Sequence, residues 1–134
     1  MISAQMQKKM EFLSKSFHDI TEGDLVVTDF SCSLQSDVLI QGRIYLSYYG
    51  YYFHSKILGF ITTACGYWVD VCELKKDKAA FLLPIILHIT TNSEKVLRRV
   101  RNAQHTFSFI QNRNTAYAII KMIWLNHRTE MVRI

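Results

Sequence analysis

Leu39-Ile-Gln-Gly-Arg-Ile-Tyr-Leu-Ser47 is the stretch of this 134-residue sequence that decides the fold. Its apolar and polar side chains alternate, and a period of two is typical of a β-strand with one wet face. The side chains predicted to point into the core are those of Val38, Ile40, Ile44 and Leu46. Gly42 lies in the strand interior, which indicates a close backbone approach or a bulge at that position.

Similar short runs on both sides of this strand predict a mainly β domain of about seven strands. The runs cover residues 24–34, 51–55, 60–69, 71–75, 81–91, 96–101 and 106–110. Glycine-bearing pairs such as Tyr49-Gly50 and Leu58-Gly59 separate neighbouring runs at hairpin spacing.

Helical periods at the two ends of the sequence predict one helix before the strands and one after them. The apolar stripe of the first helix is Ile2, Met6, Met10, Leu13 and Phe17. We expect this stripe to pack on the domain's own core, with docking to a membrane surface or to a partner protein as the alternatives. The second helix is predicted over residues 112–128, with Trp124 on its apolar face.

The order of these motifs resembles the GRAM domain. The 39–47 strand is followed by Phe53-His-Ser55 and by a Leu58-Gly59 hairpin, and the resemblance extends over residues 17–124. It is strongest to the GRAM domains of the Aster and Lam sterol-transfer proteins and their shorter membrane-tethered relatives. The resemblance implies a pleckstrin-homology-like sandwich of about seven strands closed by the C-terminal amphipathic helix. The predicted division is an N-terminal amphipathic helix at 1–16 and a GRAM domain at 17–134.

Composition and motifs exclude several classes of function. Cys32, Cys65 and Cys72 form no CxxC pair, so we predict reduced thiols in a cytoplasmic protein, without a disulfide framework or zinc site. The longest uncharged run, 79–93, has 15 residues, whereas a membrane span needs about 20. There is no P-loop, GxGxxG, GxSxG or HExxH motif. We therefore predict no enzyme activity, cofactor or metal.

The positive charge belongs to the second half of the chain. Residues 1–67 hold five Lys or Arg against six Asp or Glu, while residues 68–134 hold eleven against five. This field favours an anionic partner such as a lipid headgroup, a nucleic acid or an acidic peptide. An aromatic group beside Arg43 could stack nucleobases; its members are Tyr45, Tyr48, Tyr49, Tyr51, Tyr52 and Phe53. Strand aromatics are mostly core residues, however, and no RNA-binding signature accompanies them, so no nucleic acid is expected.

Two basic groups and one apolar hairpin are the candidate membrane-contact residues. The candidate headgroup ligands are Lys75, Lys76 and Lys78, then Arg99 and Arg101, and finally Lys56. Each group could also be an ordinary solvated turn or strand edge. The predicted membrane-inserting residues are Ile57, Leu58 and Phe60, which would be unusual at a hairpin tip unless they enter a bilayer or pack against the N-terminal helix.

Taken with the resemblance, these residues predict a non-catalytic domain that binds anionic phospholipid. GRAM relatives are described as binding phosphatidylserine or phosphoinositides, which implies a cytoplasmic protein peripheral at membranes. A larger parent protein could bring it to contacts between the endoplasmic reticulum and the plasma membrane. The alternative is a protein-interaction module that binds a partner through the N-terminal helix or a strand edge.

Overall fold

Seven antiparallel strands and two helices build the molecule, as seen in a computed structural model that describes residues 3–18, 20, 23–78, 85–93 and 101–132. The elements are α1 (Ala4–Ser16), β1 (Val26–Gln35), β2 (Leu39–Ser47), β3 (Gly50–Ile57), β4 (Phe60–Tyr67), β5 (Val71–Lys78), β6 (Ile85–Ser93), β7 (Arg101–Ser108) and α2 (Arg113–Val132). A single 3-10 turn at Trp68–Asp70 connects β4 to β5. The predicted mainly β architecture with two flanking helices is confirmed.

The sheet order is β4-β3-β2-β1-β7-β6-β5. β1 and β7 meet through the short pairing of Ser33 with Ser108 and Leu34 with Phe107. This junction divides the sheet into a four-strand half and a three-strand half. Side chains from both halves join one core, which includes Phe53 from β3 and Leu87 from β6.

Helix α2 closes this core with one face. Ala116, Ile120 and Ile123 are buried against the strands, as the period of the sequence requires. Trp124 lies at the edge of the core and donates its indole N–H to the Val71 carbonyl at 2.8 Å. The helix is therefore fixed to the start of β5 by a hydrogen bond as well as by packing.

The predicted close approach at Gly42 is confirmed. A Cβ atom at this position would lie 2.6 Å from the His54 carbonyl oxygen and 2.6 Å from the Phe53 ring. Both contacts come from β3, which pairs with β2 on this side. Only glycine lets the two strands and the buried ring come so close.

Helix α1 packs on the outer face of the four-strand half. Leu13 and Phe17 are buried there with Val26 and Tyr52 in a second apolar cluster. Asp29 on β1 forms ion pairs with Lys9 of α1 and with Arg43 of β2, the latter at 2.6 Å. Met10, Leu13 and Phe17 of the predicted stripe therefore face the domain's own sheet, while Ile2 lies outside the described residues.

The structure corrects three details of the sequence analysis. Val38, predicted to point inward, lies in the β1–β2 turn and is exposed, because the strand begins one residue later. The last strand ends at Ser108 rather than at residue 110, since Phe109 adopts a φ of 52° that ends the extended backbone. The run predicted at 96–101 lies outside the described residues except for Arg101, the first residue of β7.

Candidate functional site

The β3–β4 hairpin carries the apolar residues predicted to insert into a membrane. Its two-residue turn consists of Leu58 with a φ of 50° and Gly59 with a φ of 84°, between the paired residues Ile57 and Phe60. Leu58 is 93% exposed and Phe60 is 79% exposed, and Ile57 is exposed as well. These residues form an apolar tip, hereafter the hairpin tip, that projects into solvent.

Packing of the hairpin tip against the N-terminal helix is not what the structure shows. Helix α1 contacts β3 farther from the turn: the Phe12 and His54 ring centroids are 4.8 Å apart, and those of Phe17 and Tyr52 are 5.1 Å apart. The helix leaves Leu58 almost fully exposed. Among the described residues, the helix therefore does not cover the hairpin tip.

The turn itself disfavours a leucine. Positive φ at both positions of a two-residue hairpin loop defines a type I′ turn, for which Asn-Gly is a preferred sequence. A branched apolar side chain in the left-handed region is uncommon and costs free energy of folding. Leu58 is therefore unfavourable both for its backbone conformation and for its exposure to water, a combination that points to a binding role.

Lys56 and Ile61 flank the hairpin tip as a cross-strand pair. Both are exposed, so an ammonium group lies beside the apolar residues. Lys56 also lowers the pKa of His54, although burial of that imidazole is the larger cause. The sequence analysis did not include Ile61 among the membrane-contact residues. It could have been included because no charged residue occurs from 57 to 69, so the apolar surface can extend past the turn.

The basic run on β5 does not form a single cluster. Lys75 is paired with His88 of β6, and its neighbour Lys76 lies on the other face of the sheet, with its Nζ 5.1 Å from the centroid of the Tyr117 ring of α2. Lys78 is the last residue of β5, and its side chain is outside the described part of the chain. In sheet order β5 is the edge opposite to β4. Of the candidate lysines, Lys56 directly precedes Ile57 of the hairpin tip.

The arginine group falls largely outside the described residues. Arg99 belongs to the segment 94–100, which the structure does not describe. Arg101 begins β7, paired with Ser93 of β6, and its side chain is not described. The predicted headgroup contacts of these two residues stay predictions.

Comparison with known proteins gives the family. The profile of the GRAM domain matches residues 11–129. The chain belongs to the GRAM domain family. It is 33% identical over 126 residues to human Protein Aster-A, which covers 94% of this chain and 16% of that protein. It is 28% identical over 121 residues to the membrane-anchored lipid-binding protein LAM5 of Saccharomyces cerevisiae, covering 90% of this chain and 16% of that protein. The chain thus spans about one sixth of the length of these relatives.

Solved structures agree with a pleckstrin-homology-like fold for this GRAM domain. The C-terminal domain of an unknown protein from Leishmania infantum superposes with a TM-score of 0.66 and 18% identity, covering 87% of this chain and 98% of that chain. The hSac2 domain of the human phosphoinositide phosphatase Sac2 gives a TM-score of 0.60 and 11% identity, covering 98% of this chain and 86% of that chain. At these identities the comparison concerns the fold.

Inside the GRAM domain, a buried tyrosine hydroxyl contacts a histidine ring. The Tyr51 hydroxyl lies 2.7 Å from Nδ1 of His105. Burial raises the pKa of the Tyr51 hydroxyl and lowers that of the His105 imidazole, so both groups are favoured in their neutral forms. The Trp68 and Phe107 rings pack around Tyr51.

The described residues were also considered as sites for a metal ion, a stacked base or a membrane span. Among the residues that the structure describes, no three His, Cys, Asp or Glu side chains are grouped to bind a metal. Of the aromatic run considered for nucleobases, Tyr51, Tyr52 and Phe53 are buried, whereas Tyr48 and Tyr49 are exposed. Within the same described residues, neither helix has the length and apolar character that a membrane span requires.

Proposed function

We propose that this GRAM domain is a non-catalytic membrane-binding module that contacts anionic phospholipid. The observation that carries the proposal is the exposed hairpin tip, Ile57-Leu58-Gly59-Phe60, with Lys56 beside it. Apolar side chains at this density on a turn match a surface that enters the boundary between headgroups and acyl chains. The lysine would meet the phosphates at the same depth.

The remaining basic residues contribute through the field of the protein. Lys75, Lys76, Lys78, Arg99 and Arg101 belong to the half of the chain that carries the positive charge. Because Lys75 and Lys76 lie on opposite faces of β5, they do not bind the same headgroup. We propose that they provide a long-range attraction to phosphatidylserine or phosphoinositide, which salt screens over about 8 Å at physiological ionic strength.

The relatives support this function and the proposed location. LAM5 is named as a membrane-anchored lipid-binding protein, and 90% of this chain is similar to part of it. We propose a domain that is peripheral at the cytoplasmic face of a membrane. A longer parent protein would place it at a contact between the endoplasmic reticulum and the plasma membrane.

The proposal is tested by sedimentation of the purified protein with vesicles of phosphatidylcholine alone, with added phosphatidylserine, and with added phosphoinositide. We expect binding to the charged vesicles that is weaker at near-physiological salt than at low salt. Phe60→Ser removes the largest side chain of the hairpin tip and is expected to weaken binding about tenfold or more. Lys56→Ala, which removes a charge worth about 1 kcal/mol near an anionic leaflet, is expected to weaken it about fivefold.

Control and charge variants sharpen the same experiment. Thr63→Ser changes another exposed residue of β4 and should leave binding unchanged. Lys76→Ala and Arg99→Ala should reduce binding mainly at low salt, in keeping with a long-range contribution. Failure of the wild-type protein to sediment with any vesicle, or equal binding by Phe60→Ser, would contradict the proposed function.

A protein-interaction module is the second candidate, and the β4 edge favours it. β4 is an outer strand of the sheet, and its eight residues, Phe-Ile-Thr-Thr-Ala-Cys-Gly-Tyr, include no charge and no proline. Strands of this composition accept an added partner strand readily. Replacement of Thr63 by Lys would block such pairing without weakening vesicle binding, which separates the two functions.

A further inference from the structure

A second group of exposed apolar side chains lies in the turn between β1 and β2. Val38 is 68% exposed and Leu39 is 53% exposed, and the exposed Asp37 precedes them. The turn is held by a hydrogen bond from the Ser36 N–H to the Val38 carbonyl at 3.0 Å. Val38 therefore projects from a closed turn, and Leu39 follows it as the first residue of β2.

The strand topology brings this turn beside the hairpin tip. β1, β2, β3 and β4 are antiparallel neighbours in this order, so the β1–β2 and β3–β4 turns leave the sheet at the same end. Leu39 lies four residues before Arg43, and Leu58 lies four residues after His54, the partner of Arg43. The two leucines are thus equally far along their strands, and strand spacing puts the two turns about 10 Å apart.

Helix α1 points its N-terminus toward the same end. Its Phe17 contacts Tyr52 of β3 and its Phe12 contacts His54, so the helix runs antiparallel to β3. Lys8 is exposed and lies one helical turn, about 6 Å, farther toward the turns than Phe12. Two ammonium groups, those of Lys8 and Lys56, are therefore directed to the end of the molecule that carries the exposed apolar side chains.

We propose that the β1–β2 turn is a second membrane-inserting element. Val38 and Leu39 enter the bilayer boundary together with Leu58 and Phe60, and the occupant of this surface is an anionic lipid bilayer. The inference deepens the proposed function and rests on it. Insertion at two turns fixes the orientation of the domain, because a single tip leaves it free to rotate about the hairpin.

The same geometry predicts that Asp37 weakens binding to an anionic membrane. Its carboxylate precedes Val38 directly, so insertion of this turn brings a negative charge to the level of anionic headgroups. Removing that charge should strengthen binding to phosphatidylserine vesicles about fivefold, the effect of one elementary charge near such a surface. Tighter binding by Asp37→Asn would therefore report the removed charge, because a variant that only damaged the fold would not bind more tightly.

The first arm of the test compares Asp37→Asn with Glu73→Gln in sedimentation with phosphatidylserine-containing vesicles. Glu73 is an exposed carboxylate on β5, so both variants raise the net charge by one. At near-physiological salt, where long-range contributions are screened, we expect Asp37→Asn to bind more tightly and Glu73→Gln to bind like the wild type. We also expect the double change Val38→Ser with Leu39→Ser to weaken binding about tenfold.

The second arm reports insertion directly. A polarity-sensitive fluorophore is attached to a cysteine placed at position 38, 58 or 63 after Cys65 and Cys72, the exposed thiols, are changed to serine. Cys32 is buried and its thiol pKa is raised to about 12, mainly by burial, so it does not react. We expect vesicles to shift the emission of labels at 38 and 58 to the blue and to leave the label at 63 unchanged.

The outcomes separate the inference from the proposed function. A blue shift at 58 without one at 38, together with equal binding of Asp37→Asn and Glu73→Gln, overturns insertion of the β1–β2 turn and leaves the proposed function standing. No sedimentation and no shift at either position overturns both. Circular dichroism of each variant confirms that its fold is kept, which the exposure of Val38 and Leu39 leads us to expect.

Discussion

Replacing Leu58 by Asn should make the domain more stable and weaker in binding at the same time. The residue has a φ of 50° in a type I′ turn, where an L-amino acid with a branched apolar side chain costs about 1–2 kcal/mol. Asparagine adopts this conformation several times more readily, so we expect about 0.5–1 kcal/mol of added stability. In a domain of this size that raises Tm by about 2–5 °C.

The loss of binding follows from exposure. Leu58 is 93% exposed, so nearly its whole side chain is available for transfer into a bilayer. Complete burial of a leucine side chain is worth about 1.5–3 kcal/mol, and partial insertion at the interface about half of that. Since 1.4 kcal/mol corresponds to a factor of ten, we expect Leu58→Asn to bind vesicles about three- to tenfold more weakly.

Urea unfolding followed by tryptophan fluorescence gives the stability, and vesicle sedimentation gives the affinity. Leu58→Met keeps an apolar side chain in the same backbone conformation and should change neither quantity appreciably. An increase in stability with unchanged binding would refute insertion of the hairpin tip. A decrease in stability would refute the account of the turn.

Three further predictions concern the fold and its pH dependence. Gly42→Ala should lower the free energy of unfolding by about 1–3 kcal/mol in urea, because the new methyl group meets the His54 carbonyl at 2.6 Å and a backbone atom cannot move aside. Leu13→Ala should lower it by about 2–5 kcal/mol in a single cooperative transition, because this fully buried side chain joins α1 to the sheet. His105→Gln should reduce the loss of stability between pH 7 and pH 5. Burial holds the folded-state pKa of His105 below 6.5, so the unfolded chain takes up the proton first and stability falls as the pH drops below that value.

Each of these has an outcome that would contradict it. Unchanged stability of Gly42→Ala would show that β2 and β3 are farther apart than described. A separate early transition of α1 in Leu13→Ala, with the main transition unchanged, would support the division of the chain at residue 16, and the exposed Lys8→Ala on the same helix is the control. Equal pH slopes for His105→Gln and the wild type would assign the pH dependence to other groups.

The fold could be predicted because its determinants are local. Alternation along residues 39–47 determines which face of β2 is buried. A glycine inside a strand, here Gly42, predicts that a neighbouring strand approaches closely at that position. The Leu58-Gly59 turn is visible as a glycine at hairpin spacing. Such features depend on a few neighbouring residues, so they can be read without knowing the tertiary structure.

The candidate site was less predictable because it depends on pairing between distant residues. Lys75 and Lys76 are adjacent in the sequence and were predicted to act as one basic group. Adjacent positions of a strand face opposite sides of the sheet, however, and Tyr117 of α2 lies against Lys76. Val38 fitted the inward face of the strand by its spacing, and only the start of β2 at Leu39 put it in a turn. That the β1–β2 turn lies level with the hairpin tip follows from the β2–β3 register, which no local motif encodes.

The directions of the two helices decide where a label can be attached. Helix α1 begins at the end of the sheet that bears both turns, whereas α2 leads to the other end, where His127 Nε2 lies 2.6 Å from the Tyr48 carbonyl in the β2–β3 turn. A fluorescent protein fused ahead of α1 would therefore crowd the vesicle surface and mimic a loss of affinity. The same reporter, or a chip-coupling tag, placed after α2 would leave that surface clear.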